Sequence, residues 1–371
     1  MQIEESFGGE CLDPRPGLVF HSCQLPTVDE LGNVRPMKAI IPLAGKGTRL
    51  RPHTLLTPKP LIRVAGKPVI SYILDDLIQL GVDEIVFVVG YLRGVIESYV
   101  AEAYPSVHAH YVVQEVQDGT AGAVKMAEPY VNEDILILFP DTLFDADLTL
   151  VEGVPESTSG IIWAKEAEDY QRYGVILTDD DGHMVRIVEK PSEPVSKLAN
   201  IGLYYMKDWR GLFEGIHHTL AAAPGPAGEF YLTDAFQYMV DSGAKIRVAP
   251  VASWYDCGKP ETLLETNHRI LERGRSGVSD SALMENSTLH GWVRVEDGAV
   301  VRNSVLGPNV TVEKGATVER STLVDTIASS DAVIEDSKLH DSLLGSESKV
   351  RDYHGQLSVG DHSIVVGDEG R

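Results

Sequence analysis

Met37-Lys38-Ala39-Ile40-Ile41-Pro42-Leu43-Ala44-Gly45-Lys46-Gly47-Thr48-Arg49-Leu50-Arg51-Pro52-His53-Thr54 opens a stretch that closes on Pro58-Lys59-Pro60-Leu61. Its first third is a short, nearly unbroken aliphatic run, which suits a strand buried on both faces in a parallel sheet. A basic turn with two glycines comes directly after that run. Ligands of open α/β sheets bind beyond the carboxyl ends of the strands. Glycines there let backbone N–H groups approach a phosphate with no Cβ in the way. Arg49 and Lys59 add fixed positive charge, in a chain of 371 residues whose 32 basic and 55 acidic side chains leave a formal charge of −23. Two familiar phosphate motifs are excluded. A P-loop needs glycine where Ile40 stands and serine or threonine where Gly47 stands, and a dinucleotide fingerprint needs glycine where Leu50 stands.

Further along the chain, Pro68 can open a helix with apolar positions Val69, Ile73, Leu77 and Leu80, and Gly81 can close it. Glu84 to Val89 reads as another buried strand, and Gly94 to Ala103 as an amphipathic stretch. Tyr111 to Val113 and Ile135 to Phe139 continue the series. This alternation predicts an α/β domain with a mainly parallel sheet over residues 37–274. Val175 to Leu177, then Asp180-Asp181-Gly182, then Val185 to Val188 predict a hairpin beside that sheet.

After Gly274 helical signals stop. Aliphatic residues recur in steps of six from Val295 to Val301, Leu306 to Val312 to Val318, Ile327 to Val333 to Leu339, and Leu344 to Val350. One aliphatic side chain per flat face of a triangular coil predicts stacked hexapeptide coils over 275–371, about three to four of them at roughly 18 residues each. Residues 1–36, with Pro14, Pro16, Pro26 and Pro36, read as an N-terminal extension with no part in the chemistry.

The acidic excess repels a nucleic-acid backbone and an anionic membrane surface alike, so neither is expected as a partner. No apolar run approaches the roughly 18 residues of a membrane span. Met1 to Glu10 lack the cationic start and apolar core of a signal peptide. Cys11, Cys23 and Cys257 are scattered, without metal-ligand spacing. A reducing, cytoplasmic setting is the expectation.

Gly-x-Gly-Thr-Arg-Leu-x-Pro-x-Thr with Pro-Lys-Pro-Leu downstream resembles the signature of sugar-1-phosphate nucleotidylyltransferases, the nucleotide-sugar pyrophosphorylases. Gln114 to Ala123, Asp141, Tyr173-Gly174-Val175, Glu189-Lys190-Pro191, Gly202-Leu203-Tyr204 and Trp254 to Gly258 come after it in that family's order. The look is closest to glucose-1-phosphate thymidylyltransferases with a left-handed β-helix tail, while Ile41 to Ala44 also resembles uridylyltransferases. Ala44, Pro140 and Thr142 depart from the residues usual in the family.

The resemblance implies a Rossmann-like, GT-A-like nucleotidyltransferase domain succeeded by an all-β left-handed parallel β-helix. It implies attack by the phosphate of a sugar 1-phosphate on the α-phosphorus of a nucleoside triphosphate, with pyrophosphate leaving. The reactants it suggests are dTTP and glucose 1-phosphate. UTP or GTP with glucose or mannose 1-phosphate is the alternative, and a non-catalytic nucleotide sensor a second one. Under this resemblance Gly45, Gly47 and Thr48 cradle the β- and γ-phosphates and Arg49 holds the departing pyrophosphate. Lys59 sits between the α-phosphate and the incoming phosphate, and Lys190 meets the sugar phosphate. Gln114, Gly119 and Thr120 face the base. Tyr173, Gly174, Glu189, Gly202, Tyr204 and Trp254 form the sugar pocket, and Asp141 and Asp256 bind Mg2+. The tail is expected to join copies of the chain into a homo-oligomer.

Overall fold

The computed structural model describes residues 36–225 and 228–367, so all of the expected extension but its last residue lies outside the described residues. The aliphatic run forms the strand Met37–Pro42, with Ala39, Ile40 and Ile41 fully buried. It pairs in parallel with Glu84–Val89 on one side and Asp134–Leu138 on the other, and Glu84–Val89 pairs in parallel with His108–Val113. The helices Val69–Gln79 and Arg93–Ala103 make the first two crossovers. The first helix begins directly after Pro68 and ends before Gly81, whose φ of 84° is a conformation that favours glycine. After His108–Val113 the chain passes back through the short helix Thr120–Lys125 and lays Asp134–Leu138 on the opposite side of the first strand. Strand order therefore reverses between Met37–Pro42 and Asp134–Leu138. That reversal opens a crevice beyond their carboxyl ends.

The other half of this Rossmann-like sheet is antiparallel but for Ile246–Pro250, which pairs in parallel with Gly160–Glu166, so the sheet as a whole is mixed. Leu198–Met206 pairs antiparallel with Asp134–Leu138 and with Gly160–Glu166, shifting register between Asn200 and Tyr204. Gly174–Thr178 and Met184–Glu189 form the expected hairpin. A two-stranded ribbon, Thr142–Asp145 with Ser253–Asp256, stands over the crevice and sets Thr142 opposite Asp256.

Beyond Ser276 the chain winds into a left-handed β-helix of parallel coils. On one face Leu283, Val300, Thr317, Val333, Lys349 and Ile364 stack in register. The coils are more numerous and shorter than three to four of 18 residues. At one corner the hydroxyls of Ser287, Ser304, Ser321 and Ser337 each accept from the backbone N–H one coil on, at separations of 17, 17, 16 and 16 residues. A coil shorter than three hexads explains why the six-residue rhythm slips. It also corrects the expected register in one coil: Ile334, not Val333, points inward, and Ile327 faces away from the coil interior toward the α/β domain. The corners are held by residues with positive φ such as Asn303, Arg320, Asp336 and Asp352. Each inward aliphatic contributes on the order of 1.5–3 kcal/mol when fully buried, a gain one coil alone cannot realise.

The two parts pack through the helix Pro260–Ile270, whose Leu263 and Ile270 join Ile62, Val64 and Val69 on one side and Ile327 and Leu343 on the other. Asn267, fully buried, links all three partners: its Oδ1 accepts from Ala65 N at 2.9 Å and Thr311 Oγ1 at 2.7 Å, and its Nδ2 donates to Asn309 O at 3.3 Å. Arg63 crosses the same boundary, donating to Glu296 Oε2 at 3.0 Å and pairing with Glu313 Oε2 at 3.1 Å. Burial pushes the Glu313 carboxyl up to about 7, against the pull of Arg63. Among the described residues no helix is long and apolar enough to cross a membrane.

Candidate active site

The crevice at the strand reversal holds two adjoining cavities of about 280 and 400 Å3, which share Thr120, Phe139, Asp141 and Glu229 in their walls. The smaller is bounded by Gly45, Lys59, Gln114 and Gly119, the larger by Arg49, Tyr173, Glu189, Lys190 and Asp256. Residues singled out along a linear string thus converge on one crevice, except that Gly47 and Thr48 lie on its loop without lining either cavity.

The loop after the first strand is fastened at two points. Leu50 is fully buried, and Thr54 Oγ1 donates to Gly47 O at 2.8 Å. Gly47 has φ +60°, and a Cβ there would sit 3.0 Å from the Lys59 Cβ. Glycine is thus what lets the Arg49 turn close against the Lys59 turn. Lys59 begins a short 3-10 turn, Lys59–Leu61, between Pro58 and Pro60, so its backbone has little freedom. Its Nζ lies 3.3 Å from Asp141 Oδ2, with the lysine side chain only 15% exposed. The Arg49 guanidinium comes close to Gly258, where an added Cβ would meet its Nη2 at 3.1 Å.

Asp141 and Asp256 meet across the ribbon, since Cys257 N donates to Asp141 O at 2.9 Å. Asp256 performs two tasks. Its Oδ1 accepts from Gly258 N at 2.7 Å, which is the ordinary Asx turn of an Asp-x-Gly sequence. Its Oδ2 is buried, accepts no hydrogen bond among the described residues, and has the Arg172 guanidinium at 3.6 Å as an ionic neighbour. A carboxylate oxygen left over in this way, beside a second carboxylate, fits a hard divalent cation that also takes phosphate oxygens. Asp141 and Asp256 would hold that ion.

At the base end, Gln114 is buried and its Nε2 donates to Asp118 Oδ1 at 3.0 Å and to Gly119 O at 3.4 Å. The amide oxygen is therefore the atom left to a ligand. Gly119, φ +120°, is needed because a Cβ would collide with the Phe230 backbone, 2.3 Å from its carbonyl oxygen. Thr120 Oγ1 accepts from Leu232 N at 2.9 Å, which ties this turn to the helix Leu232–Asp241.

At the sugar end, Lys190 adopts φ +43° and its backbone N donates to Tyr173 O at 3.0 Å. That kink lays Nζ over the Tyr231 ring at 4.7 Å. Glu189 accepts from Thr233 Oγ1 at 3.2 Å, and burial raises its carboxyl above the usual range against the pull of Lys190. Trp254 packs edge-on against Tyr173 with ring centroids 4.7 Å apart. Gly202 lies at the register shift of its strand with φ +81°, and a Cβ would stand 3.2 Å from the Phe139 Cβ. Tyr204 is both a buried core aromatic and part of the cavity wall.

Several wall residues carry no mark in the motifs. Asn200 donates to Gly174 O at 3.2 Å and accepts from Gly202 N at 3.2 Å, so it shapes the sugar end. Arg172 stands beside Asp256, and Tyr231 and Thr233 support Lys190 and Glu189. Arg172, directly before Tyr173-Gly174, and Asn200, two residues before Gly202-Leu203-Tyr204, sit close enough to a motif to be found from the sequence.

These features agree with what the chain resembles. It is 33% identical to UTP–glucose-1-phosphate uridylyltransferase AglF of Haloferax volcanii over 241 residues, 64% of this chain and 97% of the relative. It is 33% identical to the bifunctional protein GlmU of Methanocaldococcus jannaschii over 70% of this chain and 60% of that one. Among solved structures, UDP-glucose pyrophosphorylase complexed with UDP-glucose superimposes with a TM-score of 0.57 at 25% identity, over 64% of this chain and 99% of that one. These likenesses do not set glucose-1-phosphate thymidylyltransferase apart from the uridylyl and GlmU branches. Residues 38–273 match the nucleotidyl transferase family, and the chain therefore belongs to that family of enzymes, which here joins a nucleoside triphosphate to a sugar 1-phosphate.

Proposed function

We propose that the enzyme transfers the nucleotidyl group of a pyrimidine triphosphate, UTP or dTTP, to glucose 1-phosphate. The observation that carries the base choice is the orientation of Gln114. With its NH2 spent on Asp118, it offers an acceptor, which suits the N3–H of uracil and thymine and repels the bare ring nitrogen of cytosine or adenine. GTP, which also presents a ring N–H, is the alternative. Names of relatives that carry uridylyl transfer and UDP-glucose support the same reading.

In this reading the reaction runs by alignment and charge neutralisation, with no covalent enzyme intermediate. The triphosphate lies along the Gly45–Arg49 loop with its base against Gln114 and Gly119. The sugar 1-phosphate lies by Tyr173, Glu189 and Lys190, whose ammonium draws the attacking phosphate in. Lys59, between the two cavities, meets the charge that builds on the α-phosphate, and Arg49 holds the leaving pyrophosphate with the bidentate fork that phosphate favours. Family membership implies dependence on a divalent metal, which when bound would offset phosphate charge and align the reactants. Residues 37–274 would carry this chemistry, and the tail 275–371 would join copies into a homo-oligomer.

Pyrophosphate release over a matrix of UTP, dTTP, GTP, CTP and ATP against glucose, mannose and N-acetylglucosamine 1-phosphates tests the reading. UTP or dTTP with glucose 1-phosphate should exceed CTP and ATP by about tenfold or more, the usual scale for one mismatched hydrogen bond in a buried site. Equal rates with CTP would remove the role given to Gln114.

A further inference from the structure

The segment that carries Arg49 and Lys59 is gripped on both flanks by the β-helix. Between the two cations, His53 Nε2 shares a 3.0 Å hydrogen bond with Ser358 Oγ across 305 residues of sequence, and Thr57 Oγ1 donates to Asp361 Oδ2 at 3.3 Å. Pro52 lies against the backbone of Gly360 so closely that a Cβ there would sit 3.1 Å from the Pro52 Cβ. His53 is only 4% exposed although it belongs to a loop. Burial lowers its imidazole to about 4 despite Asp361, so at neutral pH the contact is made by an uncharged ring. On the far side of Lys59, Arg63 reaches Glu296 and Glu313 of the coils, and Ala65 N reaches them through Asn267 of the helix Pro260–Ile270, whose Oδ1 also accepts from Thr311 Oγ1. Within the α/β domain the same segment is held by the burial of Leu50 and Leu61 and by Tyr91, whose hydroxyl donates to Leu55 O at 3.0 Å. Among the described residues, none after Asp256 lines either cavity.

We propose that Ser358 and Asp361 are positioning residues for nucleotidyl transfer: through His53 and Thr57 the last coils set the distance at which Arg49 and Lys59 face the reacting phosphates. The tail then acts on catalysis from a site that substrate never touches. Transfer between two bound anions depends on alignment, and misplacement by about 1 Å in such a reaction costs on the order of 100-fold in rate. A hydroxyl or carboxylate in the coils can therefore matter more to turnover than to stability. The proposal rests on the reading of Arg49 and Lys59 as the cations of the reaction.

The test uses the full chain with Ser358→Ala, His53→Ala, the double variant, and Ser358→Thr, which keeps the hydroxyl. Pyrophosphate release is measured with the best substrate pair and hydrogen exchange is monitored over residues 45–63. Ser358→Ala and His53→Ala should each lower kcat about tenfold, and the double variant should fall no further than His53→Ala. KM for the sugar 1-phosphate should stay within about twofold, because Tyr173, Glu189 and Lys190 lie off this segment. Ser358→Thr should recover most of the rate. Exchange over 45–63 should quicken in Ser358→Ala while the thermal midpoint of the chain holds. Additive losses, or an unchanged kcat with unchanged exchange, overturn the proposal. If the wild-type chain turns over no substrate pair, the activity reading fails by itself. The exchange comparison then still decides whether the coils hold the segment.

Discussion

Lys59→Ala should cut kcat by about 100- to 1000-fold while KM for the triphosphate changes by less than about threefold, the pattern of a group whose contacts strengthen as charge develops. The expectation comes from where the ammonium is fixed. Two prolines hold its backbone, Gly47 packs against its Cβ, and Nζ stands 3.3 Å from Asp141 at the junction of the cavities. A loss of that size corresponds to about 3–4 kcal/mol of transition-state stabilisation. Arginine at this position should rescue little, since its planar fork cannot occupy the place of a compact ammonium. Steady-state kinetics with both substrates varied would show it. A raised KM at unchanged kcat would mean that Lys59 serves ground-state binding only.

The second large effect is expected from Asp256→Asn. Asparagine keeps an oxygen to accept from Gly258 N, so the turn survives, but an uncharged amide NH2, which cannot ligate a cation, replaces the buried oxygen that accepts no hydrogen bond. Turnover should fall by about 1000-fold at saturating magnesium, in line with removal of a charged group from a preorganised phosphate site. Mn2+ binding, measured by electron paramagnetic resonance, should weaken in parallel. Intact Mn2+ binding alongside lost activity would move Asp256 from the metal to the support of Arg172, which stands 3.6 Å away.

How far such a site can be read from a linear string depends on whether backbone or fold does the positioning. The strand and loop from Met37 to Leu61 were legible because local chemistry dictates them: a buried aliphatic run, glycine at positive φ, lysine between prolines. The pairing of Asp141 with Asp256 was legible only through family resemblance, since the ribbon that joins them is a long-range contact with no local signal. Asn200 lies two residues before a motif, yet its task could not be read there: it braces a register shift, and register is set by the whole sheet. The tail shows the same division. Its coil type could be read from the aliphatic rhythm, but coil length could not, because 16- and 17-residue coils mimic hexads with slips. The grip of Ser358 on His53 spans 305 positions and leaves no mark in the sequence at all.

The sharpest measurement is mass spectrometry of the products formed from UTP or dTTP and glucose 1-phosphate labelled with 18O in its non-bridging phosphate oxygens. Attack by that phosphate on the α-phosphorus predicts a nucleoside diphosphate glucose that keeps all of the label, and pyrophosphate that carries none. Label in pyrophosphate, or a nucleoside monophosphate with no sugar attached, would contradict nucleotidyl transfer at this crevice.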